Sequence, residues 1–379
     1  MSWKDWLPSL KRGNPSKVYF LSLNASGKKG GLMQRLPELL STLSMYDHAR
    51  PKAATAIKLH LGERGNTSFI RPLFIQFIVD YLKAKGLKPF LTDANTLYSG
   101  SRSNSIDHLI CANENGFQYG VVHAPVIIAD GIYGNRSVVI ETPGPRVKQA
   151  YIGEAIYDAD ALLCASHFKG HELTGFGGAL KNMGMGCAAK AGKLVMHSDQ
   201  NPQVSVERCV GCGVCVNFCG SDAITIKDKK ARIDSKKCVG CASCIAVCPT
   251  HSINNSWNVG PVACMEKMAE YASAAMSCVY PAIGFVTFIT NVSPVCDCYG
   301  FSGVPIVGDI GILASDDPVA IDQASYDLVN EAPWHPYYGK RQEGIDKFKE
   351  LANGIDPTVQ LVHAEKLGLG TRKYELLEI

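Results

Sequence analysis

The stretch SHFKGHELTGFGGALKNMG, residues 166–184, combines ionisable side chains with many glycines. It contains His167, Lys169, His171 and Lys181 beside five glycines. Histidine can transfer protons or ligate metal ions near neutral pH, and lysine can bind anions. Glycine lets the backbone approach a ligand closely. The stretch is therefore a candidate anion-binding, metal-binding or catalytic site, and a glycine-rich structural connector is the alternative.

Two cysteine runs predict a second kind of chemistry. Eight of the fifteen cysteines lie in CVGCGVCVNFCG (209–220) and CVGCASCIAVCP (238–249). Each run reads Cys-x2-Cys-x2-Cys-x3-Cys, the bacterial ferredoxin spacing, in which the fourth cysteine of each run ligates the other cluster. Zinc ribbons also use paired Cys-x2-Cys motifs, but a ribbon needs only four cysteines. The spacing predicts two 4Fe–4S clusters, one on Cys209, Cys212, Cys215 and Cys248 and the other on Cys219, Cys238, Cys241 and Cys244.

Short apolar runs and helical stripes alternate along the rest of the chain. Residues 70–86 carry a 3.6-residue apolar stripe with Pro72 in its first turn, and Asp317 with Pro318 predicts a helix start at 316–330. Alternating strands and helices favour an α/β fold with a mostly parallel, doubly wound sheet. Strands are predicted at 18–23, 54–61, 88–92, 121–129, 161–166 and 284–290.

The alternation stops near Ser205 and resumes near Val259, so the cysteine runs form an insertion. Inside it, residues 223–234 alternate like a small hairpin, and its lysines are expected to form a solvated face. We therefore expect an N-terminal arm (1–17), an α/β body in two parts (18–204 and 253–379) and an inserted small α+β dicluster ferredoxin-like domain (205–252).

The loops after the predicted strands carry the remaining candidate site residues. Ligands of open parallel sheets bind beyond the carboxyl ends of the strands, so these loops are expected to converge there. The amides near Gly178 would favour an anion at a helix N-terminus, and the sequence Cys296-Asp297-Cys298 suits a soft metal or a redox pair. Catalytic roles are predicted for Tyr98, His167, His171 and Lys181. Ligand or cofactor binding is predicted for Lys58, His60, Arg64, Asn66, Asp93, Asn95, Lys169, Gly177, Gly178, Asn182, His197, Cys296, Asp297 and Cys298.

Composition limits the partners and the location of the protein. The 379 residues are 46% hydrophobic and 19% charged, and the net charge of +3 is too small to indicate nucleic acid or a membrane surface. No apolar run reaches the roughly 20 residues of a membrane span, and the start lacks a signal-peptide core. We expect a cytoplasmic protein that meets a redox partner, a ferredoxin or a reductase, and a small-molecule ligand. A homodimer is left open.

The body motifs together resemble one family. The motifs are IKLHLGERGNTSFIRP (57–72), PFLTDANTLYSGSRSN (89–104), DALLCASHFKGHELTGFGGALKNMGMGCA (160–188) and DIGILASDDPVAID (309–322). They are similar to the domain of unknown function 362 family, whose members are often described as uncharacterised Fe–S center proteins and carry a dicluster ferredoxin segment at this place. The resemblance implies an α/β body with two clusters and leaves the reaction open.

A second resemblance is to lactate racemase. In that enzyme a histidine-rich, Gly-Gly-x-Lys-like segment holds a nickel pincer cofactor through a lysine and histidines. His167, His171, Lys181 and His197 look similar here, although the lysine falls one residue later after the Gly177–Gly178 pair. This resemblance implies a nickel-type cofactor.

The main functional hypothesis is an iron–sulfur oxidoreductase. Electrons would pass through the two clusters to a small anionic or conjugated substrate or cofactor in the α/β cleft. One alternative is an electron carrier, adaptor or metal-cofactor-binding protein without enzymatic activity, and another is a lactate-racemase-like metal enzyme with structural clusters. The chain has no Walker motif and no Gly-x-Gly-x-x-Gly after a strand, which disfavours nucleotide chemistry. A flavin or a further metal is left open.

Overall fold

The computed structural model describes residues 14–23, 30–342 and 344–379, so most of the predicted N-terminal arm lies outside the described residues. The strands are β1 Ser16–Ser22, β2 Ala54–Lys58, β3 Lys88–Asp93, β4 Val126–Ile128, β5 Ser137–Glu141, β6 Gln149–Gly153, β7 Ala161–His167, β8 Lys169–His171, β9 Gly175–Gly177, β10 Gln203–Val204, β11 Ile224–Lys227, β12 Lys230–Ile233, β13 Ile253–Asn254, β14 Ile283–Ile289, β15 Gly311–Ser315 and β16 Tyr374–Glu378. The α-helices are α1 Leu32–Ser41, α2 Met45–His48, α3 Pro72–Ala84, α4 Ser105–Glu114, α5 Tyr119–Val122, α6 Glu154–Tyr157, α7 Ala179–Cys187, α8 Lys190–His197, α9 Val214–Asn217, α10 Ser243–Val247, α11 Pro261–Val279, α12 Pro318–Glu331, α13 Lys347–Leu351 and α14 Val359–Leu367, and Pro336–Tyr338 forms a 3-10 turn.

Eight strands form the central sheet in the order β16-β1-β15-β14-β7-β2-β3-β4. Within this sheet the pairs of β14 with β7, β7 with β2, β2 with β3 and β3 with β4 are parallel. β15 runs antiparallel to both of its neighbours, β1 and β14. The predicted mostly parallel α/β sheet is therefore confirmed.

Alternate residues of the central strands face two separate cores. On one face of the sheet, Leu162 packs in a core that includes Met268 of α11, and on the other face Leu163 packs in a core that includes Ile78 of α3. All residues of β7 and β14 are buried. Helices cover both faces, which is why these strands read as continuous apolar runs.

The two helices predicted from Pro72 and from Asp317 begin at the expected residues. Pro72 occupies the first turn of α3, and the Asp317 side chain accepts hydrogen bonds from the amides of Val319 and Ala320 to cap α12. Residues 121–129 do not form the single strand that the sequence predicted. Its first residues end α5, the chain turns through His123 in the left-handed region (φ 59°), and only β4 is extended.

The cysteine runs lie between two strands that pair with each other. β10 and β13 are antiparallel, with Gln203 opposite Asn254 and Val204 opposite Ile253. Between them, β11 and β12 form a hairpin, and a small separate core includes Ile224 and several of the cysteines. This arrangement lets the segment leave and re-enter the body at neighbouring points.

In the part of the chain that the structure describes, no helix is long and apolar enough to cross a membrane.

Candidate functional site

A cleft of about 590 Å³ lies at the carboxyl ends of β2, β3, β7 and β14. It is bounded by the loops after these strands, by α7 and α8, and by residues that follow the inserted segment. Its volume is in the range typical of small-ligand sites. The predicted site residues that line it are Lys58, His60, Asp93, Tyr98, His167, Lys169, His171, Gly178, Lys181, Asn182, His197, Cys296 and Cys298.

The opening stretch of the sequence forms much of this cleft. It continues from β7 into the short β8–β9 hairpin, in which Lys169 pairs with Gly177, and then into α7. Gly170 of the hairpin packs against the loop that carries the cysteine pair, since a Cβ atom there would lie 2.4 Å from the carbonyl oxygen of Pro294. The hairpin therefore holds the histidines and lysines close to Cys296 and Cys298.

A buried carboxylate organises one wall of the cleft. Asp297 is completely buried, and its Oδ2 lies 2.8 Å from Nδ1 of His167 and 3.1 Å from Nζ of Lys169. The Ser68 hydroxyl donates to Oδ1 at 3.0 Å. Burial alone would raise the pKa of Asp297, but the charges of His167 and Lys169 outweigh it and hold the pKa well below its usual range.

His167 has no free ring nitrogen. Its Nε2 lies 2.8 Å from the carbonyl oxygen of Thr290, which can only accept, so Nε2 carries a proton. Its Nδ1 faces the Asp297 carboxylate. Both ring nitrogens therefore have partners within the protein, and His167 contacts the carboxylate of Asp297 in the cysteine loop.

A second ion-pair network forms the floor of the cleft. Nζ of Lys58 lies 3.0 Å from Asp93 and donates to Oδ1 of Asn182 at 2.7 Å. Arg102, also buried, donates to Glu63 at 3.0 Å and lies 3.7 Å from Asp93. Burial alone would raise the pKa of Asp93, but Lys58 and the other nearby cations hold the pKa below its usual range. Lys58 and Asp93 are therefore paired with each other in the wall of the cleft.

Lys181 and Cys296 form a polar contact in the cleft. Nζ of Lys181 donates to Sγ of Cys296 at 3.7 Å, and the amide of Cys298 donates to the same sulfur at 3.4 Å. Contact with Cys298, together with the charges of Lys181 and Lys169, outweighs burial and lowers the pKa of Cys296 to about 6. Burial would lower the pKa of Lys181, but the Cys296 sulfur raises it above its usual value. A thiolate–ammonium pair at neutral pH follows.

His60 and His171 present protons and not lone pairs to the cleft. Nδ1 of His60 accepts the amide of Gly62 at 3.0 Å, and Nδ1 of His171 accepts the amides of Leu173 and Thr174 at 3.1 and 3.2 Å. In each neutral ring the proton is then on Nε2. Nε2 of His60 lies 3.6 Å from Sγ of Cys298. Burial, followed by the charge of Lys181, lowers the pKa of His171 to about 3, so this ring is a neutral hydrogen-bond donor.

Tyr98 and His197 close the two sides of the cleft. The Tyr98 hydroxyl accepts from Arg102 at 2.9 Å and lies 3.4 Å from the carbonyl oxygen of Cys298. Burial raises the pKa of Tyr98 well above its usual value, which makes it a poor proton donor. The His197 ring lies 4.8 Å from that of Trp257, which also lines the cleft.

The other predicted residues lie outside the cleft wall in the described structure. Arg64 is exposed and pairs with Glu114 at 2.7 Å. The Asn66 side chain donates to the carbonyl oxygens of residues 299 and 301, and thus holds the loop after the cysteines in place. Asn95 donates to Asp130 at 2.8 Å. Asp297 lies behind the wall, and Gly177 belongs to the β8–β9 hairpin.

The amides at the start of α7 are not available to a ligand. The Asp322 side chain of α12 accepts from the amides of Ala179 and Leu180 at 2.6 and 2.9 Å. A Cβ atom on Gly178 would lie 2.2 Å from Oδ1 of Asp322, so this contact requires glycine. Burial raises the pKa of Asp322 to about 7 although the amide bonds oppose it. An anion in the cleft would therefore be bound by side chains.

Sequence reasoning did not single out several residues that form or support the wall. Lys193 and Trp257 line the cleft, yet Lys193 lies in an amphipathic helix and Trp257 in a connector without a motif. Asp322 lies within the apolar pattern of α12, and only the packing of α12 against α7 reveals its role. No local sequence signal marks these three positions.

The eight clustered cysteines line two small cavities in crossed sets. One cavity is lined by Cys209, Cys212, Cys215 and Cys248, and the other by Cys219, Cys238, Cys241 and Cys244. Backbone amides donate to three of these sulfurs: Ala231 to Cys209, Ala223 to Cys219 and Ser252 to Cys248, each at 3.3 Å. Among the described residues, no group of three or more His, Cys, Asp or Glu side chains is placed to hold a single metal ion. Each set surrounds a cavity, as ligands to different irons of one cluster would.

The second cysteine set lies next to the cleft. Ala242, between Cys241 and Ser243, is buried in a small apolar cluster with Leu97 and Leu194. Leu97 in turn lines the cleft. A small apolar cluster therefore connects this cysteine set with the wall of the candidate site.

The fold is that of an α/β protein with a cleft at the carboxyl edge of its sheet. The chain belongs to the DUF362 family, a domain of unknown function, whose model matches residues 55–327. The family resemblance expected from the body motifs is confirmed by this match.

The wider comparisons are distant. No curated protein matches the chain. Among solved structures, the lactate racemase apoprotein from Thermoanaerobacterium thermosaccharolyticum is 15% identical, with 76% of this chain and 49% of that chain covered and a TM-score of 0.33. A protein from Thermotoga maritima is 10% identical, with 68% and 49% covered and a TM-score of 0.37. The chain thus spans about half the length of these two structures.

Proposed function

We propose that the protein is an iron–sulfur oxidoreductase that exchanges electrons with a small anionic substrate in the cleft. The observation that carries the proposal is the small apolar cluster of Ala242, Leu97 and Leu194, which joins one cysteine set to the cleft wall. A redox centre is useful only where electrons can reach a substrate, and this cluster lies between the two sites. The proposal accounts for both groups of candidate residues.

The two cysteine sets fit 4Fe–4S clusters. Each set supplies four thiolates around one cavity, with the fourth ligand taken from the other run, as the ferredoxin spacing requires. Amide hydrogen bonds to the sulfurs, such as Ala231 to Cys209, would stabilise the thiolates and tune their potential. When bound, the clusters supply one-electron transfer.

The cleft fits an anion better than a cation. Lys181 has a single hydrogen-bond acceptor, the sulfur of Cys296, among the described residues and keeps other N–H groups for a ligand. His171 adds a neutral Nε2–H donor, and a neutral imidazole of this kind can polarise a carbonyl group. A substrate with a carboxylate conjugated to a reducible double bond or carbonyl group would accept hydrogen bonds from these donors.

Cys296 is the acid–base group that we assign to this reaction. A catalytic acid or base works best when its pKa lies near the operating pH. Contact with Cys298 and the charge of Lys181 lower the pKa of Cys296 to about 6, whereas burial raises the pKa of Tyr98 well above its usual value. Cys296 therefore takes the role first predicted for Tyr98 and His167, and His171 and Lys181 bind and polarise the substrate.

A metal cofactor in the cleft is supported less well. Such a cofactor needs imidazole nitrogens with free lone pairs directed at it. His60 and His171 direct Nε2–H groups at the cleft because their Nδ1 atoms accept backbone amides. His167 uses both nitrogens within the protein. The remaining alternative is an electron carrier or adaptor that catalyses no reaction. The following experiment distinguishes it from an oxidoreductase.

Protein prepared anaerobically is photoreduced, and small anions are then added while cluster absorbance is followed. The panel contains unsaturated carboxylates and 2-oxo acids. We expect at least one member to reoxidise the wild type and the control Lys267→Met, whose lysine is buried beside Val195 and Asp199 away from the cleft wall. Lys181→Met should lose this reaction and keep its clusters. Equal reoxidation of Lys181→Met and the wild type would refute the role of the cleft, and no reoxidation by any anion would favour the carrier.

A further inference from the structure

The inserted segment carries all of the net positive charge of the chain. Residues 205–252 contain seven basic and four acidic residues, a net charge of +3, and the whole chain also has a net charge of +3. The rest of the protein is therefore neutral overall. The predicted solvated face is present, since Lys227 and Lys229 of the hairpin are exposed.

Four of the seven basic residues, Arg208, Lys227, Lys229 and Lys230, lie on the loop and turn beside one of the two cysteine sets. The turn between β11 and β12 lies over the loop that begins at Cys209, because Nζ of Lys230 donates to the carbonyl oxygen of Cys209 at 2.6 Å. A Cβ atom on Gly211 would lie 2.3 Å from the carbonyl oxygen of Lys229, so the turn and the loop are in direct contact. Lys227 and Lys229 project from this turn and are exposed.

This cysteine set contains the most exposed of the eight clustered cysteines. Cys212 is exposed, whereas the other members of its set are buried and Cys219, Cys238 and Cys241 of the other set are half-buried. Next to it, Val210 is 63% exposed, and Ile226 of β11 is 39% exposed. We call the surface formed by Arg208, Val210, Cys212, Ile226, Lys227 and Lys229 the hairpin patch.

The cations of the hairpin patch are free to meet a partner. In the described part of the chain, the side chains of Arg208, Lys227 and Lys229 make no hydrogen bond or ion pair, whereas on the body Arg64 pairs with Glu114. Two acidic residues lie near them, Asp228 at the tip of the turn and Glu207 directly before Arg208. Exposed apolar residues inside a basic rim suit a transient interface with a negatively charged protein, because complementary charge speeds encounter and orients the partner.

We infer that the hairpin patch is the docking surface for an acidic electron-carrier protein of the ferredoxin type. The inference rests on the proposed function, because such a partner is useful only if the cysteine sets are redox centres. Each productive encounter would move one electron from the reduced carrier, which is oxidised, to the protein, which is reduced, without a change in covalent bonds. Electrons would then enter at the Cys212 side and leave at the Ala242 side, beside the cleft.

The test compares two double variants with the same change in charge. Lys227→Glu with Lys229→Glu reverses the hairpin patch, and Lys236→Glu with Lys237→Glu reverses two exposed lysines that precede the other cysteine set. Affinity for a purified acidic 2Fe–2S ferredoxin is measured by calorimetry at low and high salt. Iron content, photoreduction and thermal unfolding check each preparation.

We expect the patch variant to bind at least about tenfold more weakly at low salt, with the difference from the wild type shrinking at high salt as exposed charges are screened. The control variant should change affinity by less than about threefold, since its lysines lie outside the interface. Unchanged affinity of the patch variant, or equal losses in both variants, would overturn the docking surface while the proposed function stands. Binding of a short DNA duplex in place of the ferredoxin would also overturn it. Absence of iron and sulfide from the wild type would instead overturn the proposed function and this inference with it.

Discussion

Replacing Lys181 with methionine should raise the pKa of the Cys296 thiol. The ammonium group lies 3.7 Å from the sulfur. At this separation two unit charges interact by about 4 kcal/mol if the effective dielectric constant is about 20. The pKa of about 6 reflects several causes, of which contact with Cys298 is the largest and burial opposes the lowering. We therefore expect less than the full Coulomb energy, a rise of at least about one pKa unit, or ~1.4 kcal/mol.

The assay is the pH dependence of alkylation by iodoacetamide under anaerobic conditions. Mass spectrometry with fragmentation separates Cys296 from Cys298. In the wild type the rate at Cys296 should rise with pH through a midpoint of about 6, because only the thiolate reacts. In Lys181→Met the midpoint should move to about 7 or above.

The matched control for this assay is Lys267→Met. Lys267 is also buried, and its ammonium group contacts Asp199 and the carbonyl oxygen of Val195. Its replacement should leave the midpoint for Cys296 unchanged. An identical midpoint in Lys181→Met and the wild type would refute the thiolate–ammonium pair, and equal shifts in both variants would show a general effect of losing a buried charge.

Three further predictions concern the cysteine sets and the fold. Cys219→Ser should damage the cluster held with Cys238 and leave the other intact by electron paramagnetic resonance, because the fourth ligands are crossed; selective loss of the other cluster would contradict the crossing. Asp297→Asn should lower the free energy of unfolding by about 3–5 kcal/mol in denaturant titrations, because it leaves His167 and Lys169 buried without their carboxylate. A loss below about 1 kcal/mol would contradict this network. Deleting 205–252 and joining the flanks should leave a body that unfolds cooperatively, since β10 and β13 bring the ends together; a body without a cooperative transition would show that the two parts fold as one unit.

The convergence of the cleft residues was predictable because it follows from topology. Parallel strands place their carboxyl ends at one edge, so the loops after β2, β3, β7 and β14 had to meet wherever those strands were neighbours. His60, His171, Lys181 and Cys296 all line the cleft for this reason. The reversed direction of β15 was not predictable, because apolar runs do not encode strand direction.

The direction of individual side chains could not be read from the sequence. Arg64 and Arg102 both follow strands in polar loops, yet Arg64 is exposed beside Glu114 and Arg102 is buried beside Glu63. Whether a side chain donates or accepts a hydrogen bond likewise depends on its contacts in the folded protein. That His167 has no free ring nitrogen depends on the distance from Nε2 to the carbonyl oxygen of Thr290, a contact between residues more than a hundred positions apart. Such contacts decide which candidates can act on a ligand.

The most direct test of the account is the iron and acid-labile sulfide content of anaerobically prepared protein. The crossed cysteine sets predict about eight irons and about eight sulfides per chain, with a visible absorbance that bleaches on reduction. One or two zinc ions per chain without sulfide would contradict the account, because the inserted segment would then be a structural metal domain with no electrons to deliver to the cleft.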